Sequence, residues 1–98
     1  MGKSSKRYYF KSSNPLTPNL YVSGVNIEED EDGKQKVISY FDYQCEELAW
    51  TCKLQWAKSV SDKAKGIELF NKMKTNGFPV KLVCRWCLFG WHEEEVLV

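Results

Sequence analysis

Apolar and polar residues alternate along several short stretches of the chain. The clearest are Leu48–Trp56 and Val80–Trp86, and Val37–Cys45 follows the same pattern less regularly. Side chains of a β-strand point alternately to its two faces, so this period is typical of strands with one face on a core and one face in water. The pattern therefore predicts a small antiparallel sheet.

Further strands are predicted from weaker patterns between turn signals. We expect a first strand from Asn19 to about Ile27, with Gly24 as a bulge or a point of close backbone approach. The pair Asp32-Gly33 predicts a hairpin turn at the tip of an acidic run. The return strand is then expected at Gln35–Cys45.

One helix is predicted at about residues 60–75. Ser59 with Asp62 resembles a capping box at its start, and Asn76-Gly77 is typical of a left-handed stop at its end. Apolar residues recur at helical spacing between these signals and predict one apolar stripe: Ala64, Ile67, Phe70 and Met73. The last strand follows at Trp91–Val98.

The predicted order is strand, strand, strand, helix, strand, strand, which resembles an OB-fold barrel. The resemblance covers residues 19–98 and rests on element order and length. We therefore predict an α+β domain whose five-stranded antiparallel sheet is an OB-like barrel or is strongly curved, with the helix between the third and fourth strands. Residues 1–18 contain basic residues, prolines and the triplet Tyr8-Tyr9-Phe10, and we predict that they form a flexible basic and aromatic arm, in which Tyr8–Ser12 is either a short edge strand or part of the arm.

Composition is that of one small globular domain. The 98 residues suffice for a single modest core, and 43% hydrophobic with 28% charged residues is ordinary, but four Trp, five Tyr and five Phe make the chain rich in aromatic residues. No stretch has the length and apolarity of a secretory signal or a bilayer-spanning helix, so we expect a cytoplasmic protein without a membrane partner. Four cysteines without an export signal are predicted to be reduced thiols.

Charge is segregated along the chain although the formal net charge is only +1. Residues 1–27 carry four basic groups and no acid, residues 28–47 carry eight acids against two lysines, and residues 48–92 carry eight basic groups against two acids. The small net charge argues against a generally basic nucleic-acid coat. A compact acidic hairpin can nevertheless stand away from a basic face.

The main candidate site is the sheet face opposite the core. Alternation places Tyr21 and Tyr40 outward among cations, whereas Trp50, Trp56 and Trp86 point inward. Exposed rings among cations suit single-stranded nucleic acid, because bases stack on the rings while Lys and Arg neutralise phosphates. The predicted site comprises Tyr21, Tyr40, Lys53, Lys81 and Arg85 on the sheet, with Lys6, Arg7, Tyr8 and Tyr9 from the arm.

Other interpretations stay open. Tyr21 and Tyr40 can instead pair across strands beneath the helix or the arm. The second functional hypothesis is a protein-interaction module, an adaptor or inhibitor, that docks a protein partner or a second copy of the chain through the acidic hairpin and an exposed aromatic patch. A zinc site at Cys84 and Cys87 is a third hypothesis, although an odd separation in a strand points the two thiols to opposite faces.

The sequence contains no catalytic or cofactor motif. His92 is the single histidine, and no nucleophile or acid with motif spacing accompanies it. There is no Gly-rich phosphate loop and no nucleophile elbow. We therefore predict a non-catalytic binding protein without a cofactor, whose partner is single-stranded DNA or RNA.

Overall fold

The computed structural model describes residues 6–29, 31–39 and 49–98, with the backbone alone described for residues 25–29 and 35–39. These residues form an α+β fold with one α-helix, antiparallel strands and a short 3-10 helix at Leu54–Trp56. In chain order the other elements are β1 (Arg7–Ser12), β2 (Tyr21–Val22), β3 (Val25–Glu29), β4 (Gln35–Ser39), β5 (Trp50–Thr51), β6 (Ser59–Val60), α1 (Lys63–Thr75), β7 (Val80–Cys87) and β8 (Trp91–Glu95).

Six of these strands form one antiparallel sheet. Its order is β5-β2-β1-β7-β8, and β6 pairs with β1 at Tyr8 and Tyr9, beside the point where β2 pairs with Lys11. The strands β3 and β4 form a separate hairpin. Within the described ranges the edge strands β5 and β8 do not pair with each other, so the sheet is open and is not closed into a barrel.

The position of β1 differs from the sequence prediction. For Tyr8–Ser12, within the predicted arm of residues 1–18, the sequence left open a short edge strand or an arm, whereas Arg7–Ser12 pair along their whole length with β7, and Phe10 is completely buried. Tyr8, Phe10 and Ser12 face the helix and alternate with outward residues. The prolines and basic residues around this segment obscured the alternation in the sequence. The described part of the predicted arm therefore contributes a central strand.

The core lies between α1 and the sheet face that it covers. Its fully or nearly buried members come from three strands and the helix: Phe10, Val22, Leu69, Met73, Val80 and Leu82. Gly66 allows α1 to approach β1 closely, because a Cβ atom at this position would lie 3.2 Å from the Cβ atom of Tyr8. Trp50 is half-buried and packs against the core, as its predicted inward direction requires.

The helix begins three residues later than predicted. Asp62 is the N-cap, and its carboxylate accepts a hydrogen bond from the backbone N–H of Ala64 at 3.0 Å, whereas Ser59 lies in β6. The C-terminal stop is confirmed, because Gly77 has a φ of 83° and Phe78 N–H donates to the carbonyl of Met73. The described residues contain no helix that is long and apolar enough to cross a membrane.

The predicted strand Leu48–Ala57 is largely replaced by turns. Only Trp50–Thr51 is a strand in the described part of this range. The Thr51 hydroxyl accepts a hydrogen bond from the backbone N–H of Lys53 at 3.0 Å, and Lys53 carbonyl accepts from Trp56 N–H to form the 3-10 helix. Local hydrogen bonds from a Thr side chain thus outweigh the strand pattern.

Two turn predictions are confirmed. Gly33 has a φ of 78° between β3 and β4, as a hairpin at Asp32-Gly33 requires. Gly24 is a site of close approach, since a Cβ atom there would lie 3.2 Å from Cα of Lys58. The return strand is described over Gln35–Ser39, and the rest of its predicted range lies outside the described residues.

Candidate nucleic-acid interface

The register of β1, β7 and β8 assigns side chains to two faces of the sheet. We call the face covered by α1 the inner face and the opposite one the outer face. Cα pairing across the central strands places Arg7 beside Arg85, Tyr9 beside Val83 and Lys11 beside Lys81. Since Phe10 and Leu82 are in the core, these three pairs belong to the outer face.

Tyr21 lies on the outer face, as predicted, but it is only 7% exposed. The Tyr9 ring contacts it edge-to-face with the ring centres 5.8 Å apart, and Lys11 Nζ lies 5.3 Å from the centre of the Tyr21 ring. A ring enclosed in this way offers no free face to a base. Tyr21 is therefore a packing residue of the outer face, and its predicted pairing with Tyr40 stays a prediction because Tyr40 lies outside the described residues.

A carboxylate holds this region together. Glu93 accepts hydrogen bonds from Lys11 Nζ at 2.5 Å, from Arg85 Nη1 at 3.0 Å and from the Tyr21 hydroxyl. The side chains of Lys11, Arg85 and Glu93 are 15%, 16% and 22% exposed. We call Lys11, Tyr21, Arg85 and Glu93 the Glu93 cluster. It neutralises part of the positive charge on which the sequence prediction depended.

Protonation equilibria follow from these contacts. Burial alone would raise the pKa of Glu93, but hydrogen bonds from Lys11, Tyr21 and Arg85 outweigh it and hold the pKa below its ordinary value. Burial and the hydrogen bond to Glu93 raise the pKa of the Tyr21 hydroxyl. Burial lowers and Glu93 raises the pKa of Lys11, with a net increase. All three pKa shifts favour the forms that the cluster requires at neutral pH, which are an ionised Glu93, a neutral Tyr21 hydroxyl and a protonated Lys11.

The other concentration of rings and cations is at the turn between β7 and β8. Phe89 is fully exposed, Trp91 is 69% exposed and Leu88 is 49% exposed. The turn is tight, with φ values of 54° at Phe89 and 116° at Gly90. We call residues 6–7 and 85–92 the hairpin end, because β1 begins beside this turn.

Phe89 is an unfavourable residue for its position. The left-handed conformation costs an L-residue roughly 1–2 kcal/mol relative to the right-handed one, and glycine avoids this cost. The side chain is fully exposed, so it returns no burial energy to the fold. The requirements of the turn therefore do not explain a phenylalanine at this position.

Cations lie directly against the rings of the hairpin end. Lys6 Nζ is 5.3 Å from the centre of the Trp86 ring, and Arg85 Cζ is 5.5 Å from that of Trp91. His92 stacks on Trp86 with ring centres 5.4 Å apart. Arg7 is the Cα partner of Arg85 and donates a hydrogen bond from Nε to Ser59 Oγ at 2.9 Å.

The structure thus divides the predicted site. Lys6, Arg7 and Arg85 come together at the hairpin end. Lys53 lies apart, 4.5 Å from the centre of the Trp56 ring, and Lys81 lies toward the opposite end of β7, 3.9 Å from a Glu95 carboxylate oxygen.

The two tyrosines of β1 separate as well. Tyr9 is half-buried on the outer face against Tyr21. Tyr8 points to the inner face and lines a cavity of about 320 Å³ that also contacts Lys6, Lys63, Cys84, Trp86 and Glu94. This cavity adjoins the hairpin end through Lys6 and Trp86.

Sequence reasoning did not identify Phe89 and Trp91 as site residues. One signal was available: Leu88-Phe89 places two large apolar residues at a predicted bend before Gly90, where polar residues are expected. Trp86 was assigned to the core, and it is half-buried at the end of the inner face.

The described cysteines, Cys52, Cys84 and Cys87, are free thiols. Cys84 is buried on the inner face, whereas Cys87 is exposed and pairs in register with Trp91 on the outer face, so the two thiols point apart as predicted. Across the residues that the structure describes, no three His, Cys, Asp or Glu side chains are placed to hold a metal ion.

Comparison of the chain with models of known protein families, with curated proteins and with solved structures finds no match. The functional proposal therefore depends on the chemistry of the chain itself.

Proposed function

We propose that the protein is a non-catalytic module that binds single-stranded DNA or RNA through the hairpin end. The observation that carries this proposal is the exposure of Phe89 and Trp91 at a turn where Arg85 lies over the Trp91 ring and Arg7 is the Cα partner of Arg85. Stacking of a base on an aromatic side chain contributes about 1–3 kcal/mol and tolerates any base. Neighbouring cations attract the phosphates that connect such bases.

Arg85 belongs both to the Glu93 cluster and to the hairpin end. Its Nη1 is hydrogen-bonded to Glu93, but a guanidinium has five N–H donors, so donors remain for a phosphate. Its guanidinium lies over one face of the Trp91 ring, which is 69% exposed. An open sheet end suffices for this arrangement, so the proposal does not require an OB-like barrel. We expect such a protein to act in the cytoplasm.

The direct test is fluorescence anisotropy of a labelled 12-nucleotide strand at several salt concentrations. We expect the affinity to decrease steeply with salt, and to fall about 5- to 100-fold in Phe89→Ala and in Trp91→Ala. Leu16→Ala is the matched control, because Leu16 is 88% exposed in the loop between β1 and β2, away from the hairpin end. Absence of binding at low salt, or equal binding by all these variants, would contradict the proposal.

A second candidate function is docking of a protein. The contiguous apolar tip of Leu88, Phe89 and Trp91 favours it, because exposed apolar patches of this kind often mark interaction sites. If the protein docks a second copy of itself, sedimentation should show self-association that increases with concentration. If it docks another protein, the folded chain should not bind oligonucleotides. The cations beside the rings favour nucleic acid over an apolar pocket of a partner.

A further inference from the structure

The His92 side chain is held in one orientation by two contacts at the hairpin end. Its Nε2 atom lies 2.7 Å from the carbonyl oxygen of Leu88, in the turn between β7 and β8. Its ring stacks on the Trp86 ring, with the ring centres 5.4 Å apart and the planes 19° from parallel. The side chain is nevertheless exposed. The fold therefore fixes the imidazole beside the turn and leaves it open to solvent.

The contact with Leu88 decides which nitrogen of His92 gains or loses a proton. A carbonyl oxygen only accepts hydrogen bonds, so Nε2 carries a hydrogen in the neutral ring and in the charged ring alike. Protonation therefore takes place at Nδ1, for which no residue that the structure describes is a hydrogen-bond partner. The turn keeps its hydrogen bond in both forms, whereas a new donor and a positive charge arise at Nδ1 in the charged form alone.

The groups on the same side of the sheet as His92 have both signs of charge. Lys6 Nζ lies 5.3 Å from the centre of the Trp86 ring, on which His92 also stacks. Glu94 follows on the same face of β8, and no ion pair joins it to His92 in the described structure. The other titratable groups on this side are Tyr8 of β1, Cys84 of β7, and Asp62 and Lys63 at the start of α1. Protonation of His92 thus adds a second cation in contact with Trp86.

We propose, on the basis of the function proposed above, that His92 is a phosphate-binding residue of the hairpin end that acts when Nδ1 is protonated, so that the strand binds more tightly at mildly acidic pH. Histidine ordinarily changes its charge between about pH 5 and 8. The charged ring donates from Nδ1 to a phosphate oxygen, and contact with the Trp86 ring stabilises its charge. The neutral ring presents Nδ1 as an acceptor, and an ionised phosphodiester has no hydrogen to donate to it.

This dependence on pH is expected to come from one residue. His92 is the single histidine of the sequence, so no other imidazole titrates in the same range. One further phosphate contact with a single strand adds about 0.7 to the slope of log affinity against log salt. Acid should therefore increase both the affinity and its dependence on salt.

The test is fluorescence anisotropy of a 12-nucleotide thymidine strand with a pH-insensitive label, at about pH 5.5 and about pH 8. Thymine and the phosphodiesters keep their charge over this range, so a change in affinity comes from the protein. The wild-type protein is expected to bind about 3- to 10-fold more tightly at the lower pH, with the steeper salt slope. His92→Gln keeps a planar amide that can donate to the Leu88 carbonyl but cannot be protonated, and it is expected to lose this difference.

His92→Lys is the matched variant with a permanent charge, and it is expected to bind more tightly than the wild type at about pH 8. Circular dichroism of each variant at both pH values checks that the fold is retained. Equal affinity of the wild type at the two pH values, or the same pH dependence in a folded variant at His92, overturns this role of His92 and leaves the proposed function standing. Absence of binding at both pH values contradicts the proposed function and the role of His92 together.

Discussion

The Glu93 cluster and the hairpin end both combine aromatic rings with cations, yet the fold uses them differently. In the cluster, Glu93 satisfies Lys11, Arg85 and the Tyr21 hydroxyl, and the Tyr21 ring is enclosed. At the hairpin end Phe89 and Trp91 are exposed. A ring beside a cation is therefore ambiguous: Arg85 is bound to Glu93 and also lies over Trp91, and the exposure of the ring, 7% for Tyr21 against 69% for Trp91, decides which ring a ligand can reach.

Among the predicted effects, the largest is the loss of stability when Glu93 is removed. In Glu93→Ala two cations and a hydroxyl lose their shared acceptor in a partly buried site, and we expect the free energy of unfolding to fall by about 2 kcal/mol. Urea denaturation measures the change. Glu95→Ala is the matched control, because its 3.9 Å contact with Lys81 is exposed and should contribute less than about 0.5 kcal/mol. Equal effects of the two substitutions would show that the cluster is not a special structural site.

Acid should weaken the Glu93 cluster, because protonation of Glu93 removes its negative charge. The pKa of Glu93 is lower in the folded protein than its ordinary value, so the folded state binds fewer protons than the unfolded state around that pH. The contribution to stability is present above the ordinary carboxyl pKa and is lost as the pH falls through the folded pKa. Thermal unfolding between pH 7 and pH 3 measures this loss, which should be smaller in Glu93→Gln. A wild-type profile parallel to that of the variant would contradict the assignment.

Replacing Phe89 should raise the stability of the protein, whereas replacing Glu93 should lower it. Phe89→Gly relieves the positive φ of 54° and removes no buried surface, so we expect a gain in stability of about 1 kcal/mol. Affinity for a single strand should decrease in the same variant, because one stacking ring is lost. Leu16→Gly at an exposed loop position controls for the added backbone freedom. A decrease in stability beyond that of the control would mean that Phe89 supports the fold after all.

The sequence predicted the sheet and the helix better than the surface. Val80–Trp86 is recovered as a strand almost residue for residue, because its alternation coincides with real burial of Val80, Leu82 and Cys84. Arg7–Ser12 was left as a short edge strand or an arm, because its partners in β7 are about seventy residues away in the chain. Its apolar and polar residues alternate, but the alternation alone does not predict pairing at that separation.

Within the candidate site, only the cations could be predicted from the sequence. Arg85 was predicted from its outward position in the sheet, and Lys6 and Arg7 from the basic residues of the predicted arm. The enclosure of Tyr21 depends on Glu93, which lies on a different strand and follows from tertiary contacts. The exposure of Phe89 depends on a left-handed turn that phenylalanine rarely adopts. Both features arise from tertiary structure and have no periodic signature.

The smallest predicted effect separates two cations of the outer face. Arg7 lies at the hairpin end, whereas Lys81 lies toward the opposite end of β7 near Glu95. If the strand follows the hairpin end, Arg7→Ala should lower the slope of log affinity against log salt by about 1, because one fewer counterion is released, and should weaken binding of all sequences alike. Lys81→Ala should leave the slope unchanged. Equal changes in both variants would instead indicate a diffuse attraction over the whole outer face, and the Glu93 cluster would then belong to the binding surface as much as the hairpin end does.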